Sequence, residues 1–199
     1  MKYPNTKKLI LEKALDYFSN NGYAGSSIRQ IARAVGIRES AIYNHFKSKE
    51  EIFLAILSEF KSKSLSTKIL SDELLDELDN PEKFLQDFAK RLIEYWNTPK
   101  ERKCIRLLLM EQFTKIGSVE LSVTEYVNEL RGICRLIFSE MVKNNIAKKY
   151  DPDILAEQFT APLFLIRTEH LSKDEQIDFE MVSDIVRKHV NFFWNSIKL

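Results

Sequence analysis

Ser27-Ile28-Arg29-Gln30-Ile31-Ala32-Arg33-Ala34-Val35-Gly36-Ile37-Arg38-Glu39-Ser40-Ala41-Ile42-Tyr43-Asn44-His45-Phe46 is the stretch that decides the fold. It opens on Ser-x-x-Gln, a capping box, in which a serine and a glutamine side chain satisfy backbone donors at a helix start. Ile28, Ile31, Ala32 and Val35 follow at i, i+3, i+4, i+7 and form the buried stripe of a short helix. Gly36 stops that helix, and Ile37 supplies the apolar plug of a turn. A second short helix is predicted over about Glu39 to His45, burying Ala41, Ile42 and Phe46. Two short helices joined at Gly36-Ile37 describe a helix-turn-helix.

Upstream, Ile10, Ala14 and Phe18 fall on one helical row beside Leu11 and Leu15, so the first helix is predicted from about Thr6 to Asn21. Gly22 is free to take the left-handed conformation that ends it. Downstream, Ser48-Lys49-Glu50-Glu51 is a second capping box and opens a fourth helix with Ile52, Phe53, Ile56, Leu57 and Phe60 inward. Residues 61–80 turn polar and then acidic, which marks the expected boundary between domains at 1–60 and 61–199. Five more helices are predicted. One starts near Pro81 and buries Phe84, Phe88, Leu92 and Trp96. Thr98-Pro99 opens the next, which is expected to run through Leu109, Phe113 and Ile116 to Gly117. A long helix is expected from about Ser118 to Asn145. Asp151-Pro152 starts another, with Pro162 inside it as a source of a kink. Ser172-Lys173-Asp174-Glu175 is a third capping box before the last helix, whose first ordered turn can fall as late as Asp178. The fold class is all-α, with a three-helix head, a helical-bundle body and about nine helices.

Composition agrees. Gly and Pro number only 5 each, too few for a turn-rich all-β chain, and no glycine-rich phosphate loop occurs. Residues 1–63 carry 11 Lys and Arg against 6 Asp and Glu, and the remainder 19 against 23. A basic head on a slightly acidic body suits a polyanionic partner. No apolar run approaches the roughly 20 residues of a membrane helix, so no membrane partner is expected and the location read is cytoplasmic. His45, His170 and His189 form no H-x-x-x-H or E-x-x-H pair, so no metal is expected. Cys104 and Cys134 lie on apolar helical stretches and read as buried and inert. No activated-nucleophile motif surrounds them, and neither an enzyme nor a cofactor is expected.

A helix-turn-helix lays its second helix in the major groove, so the exposed positions there must reach phosphates and base edges. Here they are Arg38, Glu39, Ser40, Tyr43, Asn44 and His45. Arg and Asn can make bidentate contacts to guanine and adenine, whereas Tyr and Ser more often touch phosphate. Lys49, at the start of the fourth helix, is expected to hold a phosphate. Arg38 sits where an N-cap acceptor belongs and brings positive charge to the positive helix end, which marks it as a functional candidate.

Residues 9–60 resemble the DNA-binding domain of the TetR family of transcriptional regulators. Ile10 through Phe18 with Asn21-Gly22-Tyr23 resembles the family's first helix and its exit. Ser26-Ser27-Ile28-Arg29-Gln30-Ile31-Ala32 resembles its second helix. Ala41-Ile42-Tyr43-Asn44-His45-Phe46 followed by Lys49-Glu50-Glu51-Ile52 resembles its Tyr-x-His/Tyr-Phe-x-x-Lys-Glu signature. Ser27 and Arg29 thereby join the expected DNA contacts. Arg38 stands where the family usually has a small hydroxyl residue, and Glu39 where it often has a basic or polar one, so no operator sequence carries over.

The resemblance implies a ligand-binding and dimerisation domain after about residue 65. It also implies a homodimer through the last two helices, here about 151–168 and 173–197, a pseudo-palindromic duplex operator, and a repressor released by a small molecule. A ligand-independent activator and a helical interaction protein without DNA binding are the alternatives. The body is rich in aromatic residues, with polar groups such as Glu111, Gln158 and Arg167 among them. That mixture suits a pocket for a small apolar or amphipathic ligand between the helices of 81–166. Phe88, Trp96, Met110, Phe113, Tyr126 and Phe159 are its expected lining. The fourth helix is the expected lever between ligand and DNA.

Overall fold

The computed structural model describes residues 6–61, 65–117, 119–120, 122–172 and 177–199. Two compact units divide the chain, Met1–Lys63 with Lys103–Val123, and Ser64–Arg102 with Thr124–Leu199.

The first unit holds α1 (Thr6–Asn21), α2 (Ile28–Val35), α3 (Glu39–Ile42) and α4 (Lys49–Lys61). Ile10, Ala14 and Phe18 of α1 are buried with Ile31 of α2, Ile42 of α3, and Ile52 and Phe53 of α4. The predicted periodicity thus places the apolar stripe inward on every helix. Phe18, Tyr23 and Phe53 form a trio with centroids 5.1–5.7 Å apart, Phe53 edge-to-face with each of the other two, a separation that suits aromatic quadrupoles. At the start of α4, the Ser48 hydroxyl accepts the Glu51 N–H at 3.1 Å. The Glu51 carboxylate reaches back one residue further than a standard box and accepts the Lys47 N–H.

The second unit holds α5 (Leu65–Ile69), α6 (Asp72–Leu75), a 3-10 turn (Asp76–Asp79), α7 (Pro81–Trp96), α9 (Val123–Lys143), α10 (Pro152–His170) and α11 (Phe179–Ile197). Between α7 and α9 lies α8 (Pro99–Glu111), whose residues 99–102 belong to the second unit and residues 103–111 to the first. Phe84, Phe88 and Leu92 of α7 pack in one core with Phe138 of α9, Phe159 and Leu163 of α10, and Val190 and Phe193 of α11. His189 joins this core through its Nε2, 3.0 Å from the Phe159 carbonyl, and burial holds its pKa below the usual histidine value. Asp151 caps α10 with Pro152 in the first turn, and Asp178 caps α11 through the Met181 N–H at 3.0 Å. Each unit buries one cysteine, Cys104 in the first and Cys134 in the second.

Among the described residues the architecture is all-α apart from one short hairpin and an isolated bridge between Ala147 and Lys198, and it differs from the sequence reading at four places. Helix α3 ends at Ile42, and residues 43–45 continue as turns, with His45 N–H on the Ile42 carbonyl at 2.9 Å. Helix α8 ends at Glu111 instead of Gly117. A hairpin follows, β1 (Lys115–Ile116) antiparallel to β2 (Val119–Glu120), so α9 starts at Val123 rather than Ser118. The cause is local. β-branched Thr114, Ile116 and Val119 flank Gly117 at φ 62°, a left-handed position that a helix does not offer. Two short helices, α5 and α6, bring the described α-helices to eleven, because the polar connector carries its own cap, Ser71, on the Leu74 N–H. The capping box read at Ser172–Glu175 falls largely on residues 173–176, outside the described residues.

Candidate nucleic-acid interface

The α2–α3 pair is fixed at both ends of its turn. Ser27 is extended (φ −127°, ψ 151°), and its Oγ accepts the Gln30 N–H at 3.3 Å. Gln30 Oε1 accepts the Ser27 N–H at 2.8 Å and the Ser27 hydroxyl at 2.7 Å. The capping box is therefore complete. At the other end Gly36 sits at φ 78°, ψ 28°. Ile37 N–H bonds the Ala32 carbonyl at 3.0 Å and Gly36 N–H the Arg33 carbonyl at 3.2 Å, the paired bonds of a Schellman turn. A Cβ on Gly36 would meet nothing within 4 Å, so glycine is required there for its dihedral angles and not for space.

This frame presents Arg38, Glu39, Ser40, Tyr43, Asn44 and His45, all exposed. Arg38 is the N-cap of α3 and makes no side-chain cap bond. Its guanidinium therefore contributes nothing to closing its own helix. Glu39 has a local reason for its sign, since it lies in the first turn of α3, where the helix dipole favours a carboxylate. Ser27 and Arg29 are exposed on α2, although the Ser27 hydroxyl is already engaged in the capping box.

Lys49, the expected phosphate contact, also has partners within its own unit. Its ammonium donates to the Tyr23 carbonyl at 2.7 Å and to the Ser26 carbonyl at 2.8 Å, and lies 4.2 Å from the Tyr23 ring centre. Two of its three N–H groups are thus engaged on the α1–α2 corner. Burial lowers its pKa, and the charge of Glu111 opposes that shift. Glu111 Oε1 in turn accepts the Tyr23 N–H at 2.7 Å. One peptide unit on each side of Tyr23 is therefore held by a charged side chain, Glu111 from α8 and Lys49 from α4. The corner leaves no room for more: a Cβ on Gly22 would sit 3.0 Å from Glu111 Oε1, and Gly22 has φ 74°. No sequence signal separates such an inward lysine from one that meets phosphate. Lys49→Met is expected to lower stability by about 1–2 kcal/mol, the size of losing charge-assisted bonds at a half-buried site. Chemical denaturation checks this. An unchanged midpoint, with only the salt dependence of DNA binding reduced, would return Lys49 to the phosphate role.

The residues expected to line a ligand pocket separate into two groups. Phe88 and Phe159 are core neighbours in the second unit, with ring centres 6.3 Å apart. Trp96 and Tyr126, in the same unit, are joined by an indole N–H donated to the Tyr126 oxygen at 2.7 Å. Met110 and Phe113 belong to the first unit and are 45% and 93% exposed. Because α8 stops at Glu111, Phe113 lies in the following turn, and the helical row that would have carried it inward does not exist.

A helix-turn-helix framed in this way, followed by an all-helical unit, defines a class of DNA-binding regulators. Residues 10–56 match the family model described as bacterial regulatory proteins, tetR family. This head of the chain is therefore similar to the DNA-binding domain of the TetR family. It is 32% identical over 83 residues to the HTH-type transcriptional repressor AcnR of Corynebacterium efficiens, a match covering 40% of this chain and 44% of that protein. The chain thus spans under half the length of that curated relative. The fold extends over the whole chain in a TetR-family regulator from Mesorhizobium loti, with 18% identity, TM-score 0.72 and complete coverage of both chains. AibR, solved in complex with isovaleryl coenzyme A and operator DNA, has 18% identity and TM-score 0.65, covering 92% of this chain and 96% of its own.

Proposed function

We propose that the chain is a cytoplasmic, homodimeric repressor that binds a pseudo-palindromic duplex operator through α2 and α3 and is released by a small molecule. The observation that carries this reading is the exposed set Arg38, Ser40, Tyr43, Asn44 and His45 on a turn fixed by a complete capping box and a Schellman motif. Rigid presentation of polar, partly cationic side chains is what base and phosphate contact needs. The repressor name of the curated relative and the operator complex of AibR support the same reading. Exposed apolar residues support a dimer: Ile154 and Leu165 on α10, Met181 and Phe192 on α11. A ligand shifts DNA affinity by its differential binding to the DNA-competent and DNA-incompetent states.

The test is selection of bound duplexes from a random pool by the full chain, followed by titration of variants on the selected site. Arg38→Ala and Asn44→Ala are each expected to cost about 1–3 kcal/mol and to relax preference at particular base pairs. Recovery of no sequence-specific site, or unaltered curves for both variants, would remove the recognition assignment.

A further inference from the structure

The second unit contains a buried cation that its surroundings do not fully satisfy. Arg167 is completely buried on α10, with its guanidinium carbon 4.8 Å from the Trp96 ring centre and 4.7 Å from that of Tyr126. Its Nη2 donates to Glu101 Oε2 at 3.1 Å, while Nε and Nη1 have no hydrogen-bond partner. Buried guanidinium donors left unpaired are costly, so two such nitrogens on one side chain call for acceptors. The other Glu101 oxygen accepts the Tyr95 hydroxyl, and the Tyr95 oxygen accepts from Lys68. Lys68 also lies 4.7 Å from the Tyr95 ring centre. This chain of four side chains carries two positive charges and one negative. Burial and the neighbouring Glu101 keep the Tyr95 hydroxyl protonated, so it adds no negative charge. Lys68, Tyr95 and Tyr126 are half-buried, whereas Trp96, Glu101 and Arg167 are buried.

We propose that the second unit binds a small molecule bearing a single carboxylate on an apolar body, with the carboxylate received by Arg167 and the body against Trp96 and Tyr126. One negative charge neutralises the excess, and a carboxylate oxygen supplies an acceptor at a guanidinium edge whose Nη1 has none. A planar guanidinium is matched to a carboxylate in this way, whereas a cationic ligand meets like charge. The inference rests on the reading of the chain as a ligand-responsive regulator and names the class of that ligand.

The test uses the full chain with Trp194→Phe, which leaves Trp96 as the sole tryptophan. Phenylacetate, 4-phenylbutyrate and octanoate are titrated against their amides and amines, with Trp96 fluorescence and melting temperature as readouts. At least one acid is expected to saturate, with its amide about tenfold weaker or more and its amine without effect. Lys68→Gln is expected to weaken the acid by about fivefold and leave the amide unchanged. The paired variant Glu101→Leu with Arg167→Met removes both buried charges together, keeps the fold by circular dichroism, and loses the preference for acid over amide. No binding by any acid, equal binding of acid and amide, or a preference that survives in the paired variant overturns the proposal. Selection of DNA on the same preparation separates the two ideas. Specific DNA binding without acid binding sinks only the carboxylate site, and acid binding without specific DNA sinks only the regulator reading.

Discussion

Glu101→Leu on its own is expected to destabilise the second unit by about 3–5 kcal/mol, because it strands the Arg167 guanidinium without its carboxylate. Side-chain exposure is 0% for Arg167 and 5% for Glu101, so the stranded charge stays out of bulk water. The paired change Glu101→Leu with Arg167→Met is expected to recover most of the loss. A buried ion pair contributes little net stability over a well-packed apolar pair, and its single removal is what costs. Urea denaturation followed by tryptophan fluorescence reads this unit selectively, since Trp96 and Trp194 both lie in it. The destabilisation persists in high salt, as buried charges are poorly screened. A single variant within about 1 kcal/mol of the parent would show that the guanidinium finds another acceptor.

The second large effect is on assembly. Ile154, Gln158, Ala161 and Leu165 are all exposed on α10 at i, i+4, i+7 and i+11, a single row that interrupts its apolar character only once. On α11, Phe192 is 77% exposed. In the proposed dimer, two copies related by a two-fold axis would bury these residues, which a monomer leaves in water. Leu165→Asp combined with Phe192→Asp is expected to weaken dimerisation by about 100-fold or more, since like charges then face each other across an apolar seam. Sedimentation over a concentration series measures it. Leu136→Asp on α9, also exposed, is the control and leaves the dimer intact. A parent chain that sediments as a monomer at micromolar concentration, or a double variant that stays dimeric, contradicts this assembly.

The head was legible in the sequence because its determinants are local. Ser27 with Gln30, Gly36 with Ile37, and the rows through Ile10, Ile31 and Ile52 each act within a few residues, so spacing reveals them. The α8 terminus was not read correctly, although Lys115-Ile116-Gly117-Ser118-Val119 carries the glycine and β-branched residues of a hairpin. Leu109, Phe113 and Ile116, at i, i+4 and i+7, continue the helical pattern past it. The inward turn of Lys49 and the pairing of Arg167 with Glu101 depend on partners 23, 26 and 66 residues away. Arg167 stood out as a polar residue among aromatics, but its partner did not, because an acid in the first turn of α8 reads as an ordinary dipole complement.

The two buried cysteines, one in each unit, give the chain a built-in pair of clocks. A thiol shielded from solvent reacts with a disulfide reagent only during the moments when its surroundings open, and burial further suppresses the Cys134 thiolate. The modification rate of Cys104 therefore reports the opening frequency of the head, and that of Cys134 the opening frequency of the helical body. Recorded together on the unaltered protein, the two rates tell whether a bound molecule quiets one half or both.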